Sequence, residues 1–259
     1  MFEFGLTFPT VLKFFVIFAR LASIMVVLPF FGERGIPIQV KLGLAAMLAV
    51  VMTPLIPVDE SLLESVTLWG LAIPLIQSIL AGLLIGFVPL LLFAGIQLGG
   101  EIAGFQMGFA IVSVMDPLSQ ARTSLIAQFN YILAILVFIT INGHLYLMEG
   151  ILKSFQVMPL LGSAFPASVG EMLISFSTEM FVIGLKIAAP VLVAILLTNV
   201  GLGILARMLP QMNIFMVGFP VQIGIGLITL GMSVPTFVYV FEKMFYATFH
   251  DWQMLIKAF

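Results

Sequence analysis

The chain has no cysteine among its 259 residues, so a disulfide, a thiolate nucleophile and iron–sulfur ligation are all excluded. Charge is almost as scarce. Lys and Arg total 10 and Asp and Glu 12, or 8% of residues, against about 25% in soluble domains. A water-soluble globule is therefore excluded, and a net charge of -2 offers no basic surface to nucleic acid. Histidine is nearly missing too: His144 and His250 are isolated, with no pair at metal-ligand spacing. There is no GxxxxGKS/T phosphate loop, and Gly224-Ile225-Gly226 lacks the third glycine and the strand context of a dinucleotide site. No local Ser-His-acid grouping occurs, so catalysis and a bound cofactor have almost no support. The N-terminus lacks a basic n-region and a small-residue cleavage site, and the expectation is a retained signal anchor rather than a removable peptide.

Apolar surface is what the chain has. Hydrophobic residues make up 62% and mean hydropathy is +1.24. Ser65 to Gly100 runs 36 residues without a charged side chain, and Met208 to Phe241 runs 34. A helix rises about 1.5 Å per residue and a hydrocarbon core is roughly 30 Å thick, so about 20 apolar residues cross it. Both runs are too long for one straight span, and both carry breakers: Pro74, Pro89, Gly95 and Gly99, then Pro210, Pro220, Gly224 and Gly226. Bent or hairpinned helices are expected, with something covering the backbone groups freed at each break.

The fold class read from this pattern is an all-α integral membrane protein. About six apolar segments form kinked helices and helical hairpins within one membrane domain, 1–259. The blocks are about Leu6 to Phe31, Ile38 to Ile56, Val66 to Gly100, Leu125 to Met148, Phe176 to Ala206, and Ile214 to Phe241. Between them lie the turn from Gly32 to Pro37, an acidic loop (Asp59, Glu60, Glu64), a Gly/Pro/Ser loop from Pro159 to Gly170, and a polar corner from Arg207 to Asn213. With six single spans, Arg34, Lys41, Arg122 and Arg207 fall on one side and Lys153, Lys243 and Lys257 on the other. That balance sets no orientation by the positive-inside rule, and points away from six plain crossings.

Glycines recur at four-residue spacing: Gly82 and Gly86, Gly95 and Gly99, then Gly100, Gly104 and Gly108. The spacing puts them on one helix face, where two backbones can approach closely, within the chain or between subunits. Lys13 and Arg20 lie seven apart on one face of the first helix, and Glu179 and Lys186 repeat the relation on the fifth. Such charges need an acid, carbonyls or water. An ion path and a pairing role both fit; pairing is favoured because no acid sits in the middle of a long run. Asn130, Asn142, Asn199 and Gln222 read as hydrogen-bonding groups between helices.

Glu101, Asp116 and Arg122 bracket the segment Ile102 to Met115, and Asp116-Pro117 is a turn signal. Within the segment, Gly104-Phe105-Gln106-Met107-Gly108-Phe109 alternates flexible and bulky apolar residues, as a re-entrant, plug-like loop would. Apolar irregular backbone at membrane depth is tolerated only when enclosed by protein or lining a cavity. Most of the 16 methionines and 25 phenylalanines are expected to fill the core. Met107, Phe109 and Met115 are singled out as a deformable seal.

These residues carry a resemblance. Ala19-Arg20 is followed by Pro29-Phe30-Phe31-Gly32 and by the Pro37 turn into Gln39-Val40-Lys41; Gly82-Leu83-Leu84-Ile85-Gly86-Phe87 comes next. Then come Gly104-Phe105-Gln106-Met107-Gly108 closing on Asp116-Pro117, and Arg207-Met208-Leu209-Pro210-Gln211-Met212-Asn213-Ile214-Phe215 followed by Gly218-Phe219-Pro220. In this order and at this length the chain resembles the FliR family of flagellar type III export-gate subunits, and their SctT injectisome relatives. The resemblance implies a P-subunit-like part, about 1–172, and a Q-subunit-like hairpin, about 173–259. It implies a single copy completing a pore with multi-copy P-type and Q-type subunits, contact with an FlhB-type switch protein, and unfolded proteins as cargo. A bacterial inner-membrane location in the flagellar basal body is implied as well. The family's pore plug maps onto about Phe105 to Ser119, hence Gly104, Phe105, Met107, Gly108, Phe109, Met115, Asp116 and Pro117. Gly82, Gly86, Gly95, Gly99, Arg20, Arg207, Pro210, Gln211 and Asn213 are the expected packing and assembly residues. No metal or cofactor is implied. A secondary transporter using Arg20, Glu101 and Lys186, and a membrane enzyme using His144, Glu101 or Asp116, are the alternatives in other classes.

Overall fold

The computed structural model describes residues 7–29, 36–56, 70–109, 124–160, 166, 168–211 and 213–257. Regular structure among them is entirely helical: α1 (Phe8–Val27), α2 (Ile38–Met52), α3 (Ala72–Gln106), α4 (Leu125–Thr140), α5 (Gly143–Val157), α6 (Ser168–Met208) and α7 (Ile214–Lys257). The protein is an all-α membrane protein. Helices α1, α3, α6 and the stretch Met216–Ile256 of α7 are each long and apolar enough to cross a bilayer. The bent pair of α4 and α5 would make a fifth span.

Local chemistry sets the ends. Pro9 stands in the first turn of α1, where a missing N–H costs nothing, and Pro29 follows its last residues. Pro37 precedes α2. Ser124 caps α4, its hydroxyl accepting the N–H of Ile126 at 3.3 Å. Asn142, at φ 57, breaks the apolar block Leu125 to Met148 into α4 and α5.

The described part of the run from Ser65 to Gly100 is one continuous helix: α3 spans 35 residues and runs through Pro89. Helix α7 likewise continues through Pro220 and Pro235. A proline removes one hydrogen bond and kinks a helix, and in an apolar setting the helix persists when other groups take up the freed carbonyl. The second block yields only 15 helical residues, about 22 Å at 1.5 Å per residue, too short for a straight crossing.

The chain forms two compact units. The first comprises Met1–Leu91, Asn142–Ile174 and Ala247–Phe259. Here α1 packs on α2, and Gly82 and Gly86 let α3 approach α1. A Cβ at Gly82 would meet the Ser23 hydroxyl and lie 2.5 Å from the Arg20 carbonyl; one at Gly86 would lie 3.0 Å from Val27 Cβ. Trp252 is buried with its ring against Gly150 and its indole N–H donating to the Ile85 carbonyl at 2.8 Å.

The second unit comprises Leu92–Ile141 and Ser175–Tyr246. Phe93 sits edge-on to Tyr131, Phe138 and Phe241, with ring centroids 5.9 to 6.0 Å apart. Phe237, Phe241 and Phe245 stack along one face of α7. Gly95 and Gly99 face α6: a Cβ at either would lie 2.7 Å from a carbonyl oxygen, of Met180 and of Gly184 respectively. Asn199 and Gln222 hydrogen-bond to each other at 2.5 Å across the α6–α7 hairpin.

Candidate functional site

Helix α3 ends where the plug-like segment begins. The helix continues through Gln106, so Gly104 and Phe105 are helical and the irregular segment starts only at Met107. Three glycines in nine residues (Gly100, Gly104, Gly108) argue locally against a helix, yet the first two are where α4 approaches. A Cβ at Gly100 would collide with Ala127, and one at Gly104 with the Ser124 hydroxyl.

The end itself is a Schellman cap. Gly108 has φ +90 and its N–H donates to the Phe105 carbonyl at 3.0 Å; the Phe109 N–H donates to the Gly104 carbonyl at 3.1 Å. Those are the two bonds that satisfy the last carbonyls when a left-handed residue follows a helix. Gly108 therefore terminates α3.

Met107 is fully buried, in a cluster with Ala103, Ile126, Val191 and Ile195, and half-buried Phe109 and Leu230 pack on it. Its thioether lies where a Cβ on Gly226 would fall, 2.6 Å from Met107 Cγ and Cε. Gly226, a breaker by its residue type, lies inside α7, and the approach of Met107 explains why no side chain stands there. Phe105, by contrast, is 70% exposed.

Gly104, on the outgoing arm, therefore touches Ser124, the first residue of the returning arm. Met115, Asp116 and Pro117, with Ser119 and Arg122, lie outside the described residues, as do the acidic loop, Phe30 to Arg34, and Met212.

The remaining expected residues sit elsewhere. Arg20 is buried in the first unit, its Nη1 donating to the carbonyls of Ser154 at 3.1 Å and Met158 at 3.3 Å, with Phe155 4.6 Å beneath the guanidinium. It closes the C-terminus of α5, where carbonyls and the helix dipole both favour a cation. Arg207 ends α6, and Pro210 and Gln211 lie exposed in the corner before α7; Asn213 accepts the N–H of Met216 at 3.1 Å. Glu179 and Lys186 form no ion pair among the described residues, where Glu149–Lys153 at 2.6 Å does. No group of three or more His, Cys, Asp or Glu able to hold a metal occurs among those residues.

Comparison with known proteins agrees with this architecture. The family model for bacterial export proteins, family 1, matches residues 11–248. The flagellar biosynthetic protein FliR of Pectobacterium carotovorum is 34% identical over 92% of this chain and 90% of its own length. The FliR proteins of Bacillus subtilis (33% identical; 94% of each chain) and Escherichia coli (32%; 89% of this chain, 87% of that one) are similar throughout as well. A membrane protein of kinked helices, matched along nearly its whole length, this chain belongs to the bacterial export proteins, family 1, alongside the flagellar FliR proteins.

Proposed function

We propose that this chain is a non-enzymatic structural and gating subunit of the bacterial flagellar type III export gate. One copy completes a pore with multi-copy P-type and Q-type subunits in the inner membrane at the flagellar basal body. Unfolded flagellar proteins pass through, and an FlhB-type switch protein docks on the assembly. The P-like part reaches to about residue 172 and the Q-like hairpin follows. The observation that carries this reading is the family match over residues 11–248, with relatives named for flagellar biosynthesis.

Two features of the chain support it. Gly104 and Ser124, on either side of the plug-like segment, are held against each other, which gives a plug between them a fixed base. An apolar constriction gates by excluding water, which suits a conduit that must open widely yet stay closed to ions. On the hairpin, Gly201, Gly203, Gly224 and Gly231 have open space where a side chain would be, which leaves room for a neighbouring helix.

The decisive measurement is the mass of the complex that co-purifies with the tagged chain. A discrete assembly holding several copies of two small hydrophobic proteins is expected. A lone monomer or dimer that moves solutes or ions in liposomes would establish a transporter instead, and assembly with needle-complex proteins would make it an injectisome subunit.

A further inference from the structure

The end of α3 is set into the α6–α7 hairpin. Met107 clusters with Val191 and Ile195 of α6 and occupies the place of a side chain at Gly226 of α7. One helical turn from Ile195 and from Gly226, the Asn199 carboxamide oxygen accepts the Gln222 amide at 2.5 Å, tying the two arms together. Gly108 carries the contact on. A Cβ there would lie 3.3 Å from the Phe219 ring and 3.8 Å from the Gln222 carboxamide oxygen.

Three features separate this contact from ordinary core packing. Methionine is unbranched, so it can enter and leave the Gly226 notch by rotating its own bonds, with no branch to catch on the helix. The cap hydrogen bonds hold Gly108 and Phe109 to the last turn of α3, so the root of the plug-like segment moves together with Met107. On α7, Gly224 stands two residues before Gly226, about 200° around the helix, and has nothing within 4 Å. At this level only α7 backbone separates Met107 from whatever packs on Gly224. A displacement of α7 therefore reaches Met107 directly, with no intervening side chain to absorb it.

We propose that Met107 and Gly226 form a latch: α7 holds the root of the plug-like segment through this contact, and export requires the two to separate. Met107 is then a positioning residue of the gate. The proposal rests on the reading of that segment as a pore plug.

The chain has no cysteine, so Met107→Cys with Gly226→Cys supplies its only two thiols. The sulfur at 107 would stand near the present Met107 Cγ, 2.6 Å from a Cβ at 226, within reach of a disulfide. The double variant is tested in the assembled complex in inverted membrane vesicles, oxidised with diamide and then reduced with dithiothreitol. Oxidation should slow export of flagellar proteins at least tenfold. Reduction should restore it in the same sample, which distinguishes a fastened latch from a misfolded chain. Met107→Cys alone should react with a maleimide about tenfold faster during export than at rest. Parental export by the oxidised protein, or equal labelling in the two states, overturns the latch. Failure of the disulfide to form overturns the contact itself. The plug reading fails by a different result, unchanged ion leakage on deleting residues 110–115, and would take the latch with it.

Discussion

The indole N–H of Trp252 donates to the carbonyl of Ile85 at 2.8 Å, across 167 residues of sequence. Pro89, four residues after Ile85, has no N–H to offer that carbonyl in the helix. The kink in α3 is thus closed by a side chain from the far end of the protein. Gly150 makes room for the ring, since a Cβ there would overlap it.

Trp252→Phe should destabilise the chain by about 1–3 kcal/mol, because the Ile85 carbonyl stays buried without a donor. Adding Pro89→Ala supplies a backbone N–H at the right position and should recover part of that loss. Thermal unfolding of the purified chain in detergent, run as a double-mutant cycle, measures the coupling between the two residues. Additive effects would separate Trp252 from the proline break.

Arg20 holds the last turn of α5 by two hydrogen bonds and by its stacking on Phe155. Arg20→Met should cost about 1.5–3 kcal/mol, the range for hydrogen bonds to a charged group. Arg20→Lys should recover little, since an ammonium lacks the planar fork that serves two carbonyls and a ring together. Limited proteolysis after Val157 should be faster in both variants than in the parent protein.

Small residues divide into those that face this chain and those that face outward. Gly95→Leu and Gly99→Leu would drive a side chain into the carbonyls of Met180 and Gly184, and should abolish a stable monomer. A Cβ at Gly201 meets nothing within 4 Å, so with Gly201→Leu the monomer should keep its melting temperature. On the proposed function, that same variant should still lower the yield of the assembled complex. Comparing monomer stability with complex yield separates the two effects.

Gly108→Ala forces a Cβ into φ +90 and within 3.3 Å of the Phe219 ring. A loss of about 1–2 kcal/mol is expected from the left-handed backbone alone. Deleting residues 110–115 shortens the plug while sparing the α3 cap and the Met107 cluster, and should leave assembly possible while raising ion leakage through the closed gate. Thermal unfolding checks the first and single-channel conductance in planar bilayers the second; unchanged leakage in the deletion would remove the plug from the mechanism.

Gly104 and Gly108 show how far local pattern carries. Their spacing identified a face for close packing, and Gly104 does meet Ser124. By pattern the same glycines, with Met107 between, belong to an irregular plug-like loop, whereas α3 stays helical to Gln106 and Gly108 caps it. Glycine's low helix propensity is outweighed there by packing against α4, which no window of sequence contains. Met107 changed meaning for a related reason: an apolar, unbranched side chain looks alike in a seal and in a core, and only Val191, Ile195 and Gly226 around it decide. Arg20, on an apolar helix, needs carbonyls, an acid or water; the structure supplies carbonyls, from residues more than 130 positions away.

Membership of the membrane class, the helical composition and the polar corner at Arg207 to Asn213 followed from residues alone. In hydrocarbon a backbone must bond to itself, so apolar length and breaker positions leave few alternatives. Tertiary structure alone revealed which group answers each interruption: Trp252 for Pro89 and the α5 carbonyls for Arg20. Those pairings depend on how distant helices meet, and a helix's periodicity records which face is apolar without recording what will lie against it.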